Sequence, residues 1–229
     1  MQKSHEWRQR HREVMISYLQ ELNAITRDIV LKGGTSLMLC YGLDRFSEDI
    51  DLDSPKPRLK QFTKNFCQHH GYGMRIAKDT DVVQRFMIQY GKDVNPLKIE
   101  VSYRNKNISP ETYHQVHGIS VYSIDRLAQL KAGAYQGRDK IRDLYDISFI
   151  CNRYFDSLSE GTKNQIRDAL SYKGFDNFDY ILQTQSDPLI NKDKLADLYL
   201  NMYDKLGLLY TEKEQELVSD TEKSRGTQR

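Results

Sequence analysis

The stretch Gly33–Asp53, GGTSLMLCYGLDRFSEDIDLD, places two glycines, a hydroxyl, an apolar run and then closely spaced carboxylates within a few turns of chain. It constrains the fold more than any other segment. The preceding DIVLKGG reads as a short strand ending in a glycine turn, and TSLMLCYGL as a helix with Thr35 at its cap and Gly42 near its end. EDIDLD then alternates carboxylate and apolar residues, the period of a strand with one face buried. Asp49, Asp51 and Asp53 fall on one face, with Ile50 and Leu52 toward a core. Like charges at that spacing repel and cost stability unless a positive group sits among them. A divalent cation answers that need, because Mg²⁺ prefers hard oxygen ligands and is usually held by one or two carboxylates plus substrate phosphates. Taken alone, the DxD also fits a solvated edge strand. Gly33 and Gly34 let backbone approach a ligand, and Thr35 lies at a helix N-terminus whose N–H groups favour phosphate and whose hydroxyl can donate to it. A capping threonine after a tight turn is the plain reading of that half. Together the two halves put a phosphate cradle beside a metal site, which phosphoryl or nucleotidyl transfer requires.

The remaining chain frames this segment. Residues 4–22 suggest an amphipathic helix with Trp7, Val14, Tyr18 and Leu22 near one face, and PRLKQFTKNFCQHHG a second helix between Pro57 and Gly71. YGMRIAK, VVQRFMIQYG and PLKIEVSY read as strands, and GISVYS as a further short one. From Ser123 to about Leu209 the spacing is helical, and the last residues lack apolar periodicity. The expected organisation is a core over 1–122, a helical lobe over 123–210 that completes a cleft, and a flexible tail over 211–229. No apolar run approaches the roughly 20 residues that span a bilayer, and the N-terminus has no signal-type apolar region, so a cytoplasmic protein with no membrane contact is expected. Three widely spaced cysteines, Cys40, Cys67 and Cys151, read as reduced core thiols, with no CxxC pair to build a metal site. A net charge of +2 says little about partners. Local basic clusters at Arg8–Arg12 and Arg138–Arg142 are compatible with one that carries phosphate.

The glycine–hydroxyl turn followed by DxD resembles the nucleotidyltransferase superfamily of the DNA polymerase β type. The fuller string LKGGTSLMLCYGLDRFSEDIDLD, with its KGGT and R-x-S-x-D-I-D, is similar to the AbiEii/AbiGii toxin family, which includes the MenT toxins, over residues 26–150. Thr35 stands where serine is common in the superfamily, and the hydroxyl survives. The resemblance implies an α+β fold, a polymerase β-type core of mixed sheet with flanking helices followed by a helical lobe. It implies metal binding by Asp49, Asp51 and Glu100, with Mg²⁺ or Mn²⁺ as cofactor and an NTP as substrate. Lys32, Gly33, Gly34, Thr35, Ser47, Lys98, Arg142 and Asp143 are the candidate nucleotide-binding residues; Asp49, Asp51, Glu100, Lys131 and Asp146 are the candidate catalytic ones.

The later members also have readings of their own. In PLKIEVSY, Glu100 shares a face with Lys98 and is a third metal ligand or a general base, or else part of an exposed charged strand face. DRLAQLKAGAYQGRDKIRDLYDI resembles the family's helix lysine followed by RD-x-x-D, which maps to Lys131 and to Arg142, Asp143 and Asp146. Lys131 lies among small and apolar residues, where an unpaired ammonium is costly and a triphosphate would satisfy it. Asp143 and Asp146 share one side of a helix, while Arg138 and Arg142, one turn apart, either pair with these acids or hold phosphates. His114 and His117 sit in what reads as a loop and are surface residues; His69 and His70 end a helix. Tyr199, Tyr203 and Tyr210 at near-helical spacing read as packing.

By resemblance the chain is the toxin of a bacterial toxin–antitoxin or phage-abortive system. Such a toxin transfers NMP from NTP to an acceptor hydroxyl, at the tRNA 3′ end in characterised relatives, and its antitoxin is a separately encoded winged-helix regulator. A small-molecule or protein acceptor, and a non-catalytic nucleotide-binding module, are the alternatives; the intact DxD and Lys131 argue against the last.

Overall fold

The computed structural model describes residues 5–56 and 59–209, so expectations for Pro57, Tyr210 and the tail 211–229 lie outside the described residues. The chain divides into two compact units, 1–127 and 128–229.

The first unit carries α1 (His5–Ile25), β1 (Val30–Lys32), α2 (Gly33–Cys40), β2 (Asp49–Asp53), α3 (Leu59–His70), β3 (Gly73–Asp79), β4 (Val83–Gln89), β5 (Leu97–Ser102), β6 (Tyr113–Val116) and β7 (Ile119–Tyr122). The strands form one seven-stranded mixed sheet in the order β3-β4-β5-β2-β1-β7-β6. β2 lies between antiparallel β1 and parallel β5. Parallel neighbours need a long crossover, and here α3 and the β3–β4 hairpin supply it. The period of two is carried through: Ile50, Leu52, Leu97, Ile99 and Val101 are buried, while Asp51, Lys98 and Glu100 on the other face remain partly open.

α1 covers the core with Val14, Tyr18 and Leu22, one per turn, and Trp7 half-buried toward its start. Tyr18 meets Phe66 of α3 edge-on at 5.1 Å, and its hydroxyl lies 2.8 Å from Thr63 Oγ1. At the end of α1 the buried Asn23 donates to the carbonyls of Thr26 and Ile29, both at 3.0 Å. Its own carbonyl accepts from the Ser120 N–H of β7 at 2.8 Å, so one amide joins the helix, the lead into β1 and β7.

Two local expectations need correction. α2 starts at Gly33 with Lys32 in the capping position, so Thr35 lies inside the first turn and is not the cap. Gly33, at φ 77°, turns the chain at once from strand to helix, and Thr35 is carried inward. The segment read as a loop around His114 is β6, paired with β7 in register Val116↔Ile119. His117 at φ 50° and Gly118 at φ 80° form the tight two-residue connection, whose left-handed positions match the twist of a hairpin. A strand of four residues with His114 and Gln115 exposed carries too little apolar alternation to be seen in the sequence.

The second unit continues α4 (Ile124–Gly137) and adds α5 (Ile141–Tyr154), α6 (Glu160–Thr184) and α7 (Lys192–Lys205). Ile147, Ile150, Leu170, Ile181 and Met202 are buried in its core. Tyr199 stacks on Phe178 at 3.9 Å and its hydroxyl lies 2.9 Å from that of Tyr203, so both tyrosines are packing residues. α6 is broken at Gly174, where φ is 69°. The three cysteines are free thiols; burial pushes Cys151 up to about 12, which leaves it unreactive. No described helix is long and apolar enough to cross a membrane.

Replacing Asn23 with Ala leaves two carbonyls and one N–H without their partner, in a largely buried setting. Asn23→Ala is expected to lower the unfolding free energy by about 1–3 kcal/mol, read from urea or thermal unfolding.

Candidate active site

The sheet register assembles one charged face in the first unit. Asp49 lies opposite Lys98, and Asp51 opposite Glu100 on β5 and Lys32 on β1. Arg85 of β4 faces Glu100 from the other side. Cations and acids pair in sequence across this face: Lys32 Nζ to Asp53 Oδ1 at 2.5 Å, Lys98 Nζ to Asp49 Oδ2 at 2.5 Å, and Arg85 Nε and Nη2 to Glu100 Oε2 at 2.8 and 2.6 Å. Asp53 also accepts from the Tyr122 hydroxyl at 2.9 Å, which makes it a structural acid.

Asp51 is the exception. Three cations, Lys32, Arg85 and Lys98, face four carboxylates, Asp49, Asp51, Asp53 and Glu100, and Asp51 forms no ion pair or hydrogen bond among the described residues. Burial, then the Asp49 charge, and more weakly Glu100, push its carboxyl above the ordinary range, against the opposing pull of Lys98 and Lys32. The surplus negative charge sits directly under the glycine turn: a Cβ on Gly33 would lie 2.9 Å from Asp51 Oδ2. A cation held by Asp49 and Asp51 would remove the surplus, and two adjacent carboxylates are the donor set that Mg²⁺ accepts. The pair therefore fits the metal. No described group of three or more His, Cys, Asp or Glu is arranged to hold one, and Glu100 is engaged with Arg85 through Oε2.

The turn itself is tightly held. Thr35 is 1% exposed; its hydroxyl donates to the Asp49 carbonyl and lies 2.9 Å from Ser47 Oγ. This hydroxyl thus ties α2 to β2. A Cβ on Gly34 would lie 2.5 Å from Arg45 Nη2 and 3.0 Å from Ser47 Oγ, so glycine is needed there for the close approach of Arg45. The first-turn N–H groups of α2 have no intrahelical acceptors, and such groups at a helix start could donate to a phosphate.

In the second unit, Lys131 Nζ lies 2.7 Å from Asp146 Oδ2 and 3.2 Å from Asp143 Oδ1. Arg138 Nε reaches Asp143 Oδ2 at 2.7 Å from the connection between α4 and α5. Both aspartates therefore hold the lysine. Burial raises Asp143, but the Arg138 hydrogen bond and the Lys131 and Arg138 charges outweigh it, and its carboxyl lies below the ordinary range. Arg142 pairs with Asp187.

A family model described as the nucleotidyl transferase AbiEii toxin of type IV toxin–antitoxin systems matches residues 18–220. The chain belongs to the AbiEii family. It is a nucleotidyltransferase by that membership, and the family's description implies an antitoxin partner. The fold is similar to that of JHP933 from Helicobacter pylori, at 27% identity and a TM-score of 0.75, covering 96% of this chain and 99% of that one. A second H. pylori structure, described as a candidate nucleotidyltransferase, is similar at 27% identity and a TM-score of 0.74, over 93% and 98% of the two chains. No curated protein matches.

This AbiEii chain holds site features to which sequence reasoning gave no role. Arg45 begins the R-x-S-x-D-I-D string, so a signal was present, but only the structure shows it 4% exposed against Gly34. Arg85 becomes the partner of Glu100 only through the β4–β5 register, which no local motif announces.

Two outcomes follow from the charges. Asp51→Asn removes the surplus carboxylate and is expected to stabilise the metal-free protein by about 0.5–2 kcal/mol, seen as a higher thermal midpoint. Asp143→Asn is expected to destabilise by about 3–5 kcal/mol at neutral pH. Because Asp143 is depressed when folded, its contribution is complete above its ordinary value of 3.8 and is lost as pH falls through the lower folded value. Wild type and variant should therefore converge in stability only in strong acid.

Proposed function

We propose that this nucleotidyltransferase uses Mg²⁺ or Mn²⁺ to transfer NMP from an NTP to the 3′-terminal hydroxyl of an RNA, tRNA being the acceptor the family resemblance favours. The observation that carries the reading is Asp51: a carboxylate beside Asp49, without a cation of its own, directly beneath a glycine turn.

In this reading Asp49 and Asp51 hold the metal. When bound, it supplies charge neutralisation at the phosphate oxygens as the transition state forms. The N–H groups at Gly33 and Gly34 receive the triphosphate, with Lys32 and Lys98 bordering the same face. Thr35 and Ser47 act by fixing the turn to β2. The acceptor hydroxyl attacks the α-phosphorus, the bond to the bridging oxygen breaks, and pyrophosphate leaves. Glu100 is fixed by Arg85 through Oε2, and its Oε1 is the oxygen assigned to receive the hydroxyl proton or to complete the metal's ligands. In the second unit, Lys131, positioned by Asp143 and Asp146, is assigned the role of the family's helix lysine. The antitoxin is proposed to be a separately encoded winged-helix protein, and the site of action the cytoplasm.

Incubation with each α-labelled NTP, Mg²⁺ or Mn²⁺ and total RNA tests the reading. Label should appear at tRNA 3′ ends, and Asp49→Ala should reduce it at least about a hundredfold. Label confined to protein or to a small molecule would overturn the RNA acceptor. Unchanged labelling by Asp49→Ala would overturn this site as the seat of transfer.

A further inference from the structure

A buried histidine outside the motif reaches the residue just before the same strand. His11, in the middle of α1, is 1% exposed. Its Nε2 lies 2.7 Å from the carbonyl oxygen of Glu48, the residue immediately before Asp49, and its Nδ1 lies 2.5 Å from the Tyr90 hydroxyl. A carbonyl can only accept, so Nε2 carries the proton, and in the neutral ring Nδ1 accepts from Tyr90. Burial pushes the Tyr90 phenol up to about 12, so Tyr90 keeps the proton it donates. The imidazole is packed against Trp7 at 4.7 Å and Phe46 at 6.0 Å between ring centroids, which fixes its plane.

The next carbonyl along, that of Asp49, accepts from Thr35. Two consecutive peptide carbonyls at the start of β2 are thus held by side chains from two different helices. A strand end carrying repelling carboxylates would otherwise relax away from its neighbours. We infer that His11 is a positioning residue for the reaction: by donating to Glu48 O, with its ring held in place by Tyr90, it fixes the peptide from which the Asp49 carboxylate projects. This inference rests on the reading of Asp49 and Asp51 as the metal-binding pair.

The test uses the full chain and Mn²⁺ alone as probe, followed both by Mn²⁺-induced thermal stabilisation and by nucleotide transfer. His11→Leu removes the donor and keeps a buried apolar side chain. It is expected to weaken apparent Mn²⁺ affinity about tenfold and to lower kcat about tenfold to a hundredfold, as a misplacement near 1 Å would, while KM for NTP stays within about threefold. His11→Gln, whose amide nitrogen can take the Nε2 position, is expected to recover most of both losses. Tyr90→Phe should give a smaller loss of the same kind, and should add little in the His11→Leu background because it acts through the same ring.

A purely structural role would lower the thermal midpoint of these variants yet leave Mn²⁺ affinity and kcat per folded molecule unchanged, and that result overturns the inference. If His11→Leu does not fold, His11→Gln and Tyr90→Phe decide the matter. In that case a Tyr90→Phe protein with wild-type Mn²⁺ affinity and kcat overturns it. A wild-type protein with neither a Mn²⁺ response nor transfer removes the underlying metal reading, and the inference with it. A wild type with both, matched by its variants, defeats the inference alone.

Discussion

The parallel pairing of β2 with β5 sets Asp51 opposite Glu100 and Asp49 opposite Lys98, and the arrangement of the first unit follows from that register. A slip of one residue would turn the carboxylates into the core and Ile50 and Leu52 out of it. The burial of Ile50, Leu52, Ile99 and Val101 is what pins the register, so the apolar face determines where the charged face can be. Once it is set, three cations meet four acids and one carboxylate is left over. The cost is borne in the metal-free protein, and a bound cation would turn it into affinity.

The second unit handles charge in the opposite way. Lys131 and Arg138 meet Asp143 and Asp146, two charges of each sign, with Lys131 within 3.2 Å of both acids and Arg138 at 2.7 Å from Asp143. Such a cluster compensates its own burial and gives Lys131 a fixed place. The surplus on β2 and the balance around Lys131 are therefore opposite electrostatic arrangements: one carries an uncompensated carboxylate, the other a held ammonium.

The motif Gly33–Asp53 made much of the first site legible, because a glycine turn, a short helix and an alternating strand each have a local period. The helical stretch from Ser123 onward was equally plain. Thr35 was misread as the cap because the helix already begins at Gly33, and its hydroxyl instead bonds Asp49, a residue brought close only by the pairing of β2 with β1. β6 escaped notice because four residues on a sheet edge bury little and so carry little alternation. Arg85 and His11 have no motif at all: their partners lie 15 and 37 residues away, and only packing brings them together.

The sequence by itself determined which residues could carry the chemistry and which face of β2 they share, since alternation and glycine placement are properties of adjacent residues. It also determined the family, through KGGT and R-x-S-x-D-I-D. Only the tertiary structure decided which acids are already paired, that Asp51 is the one left over, and that Asp143 and Asp146 both hold Lys131. Those outcomes depend on distances between residues far apart in the chain, and electrostatic balance is a sum over such distances that no local pattern contains.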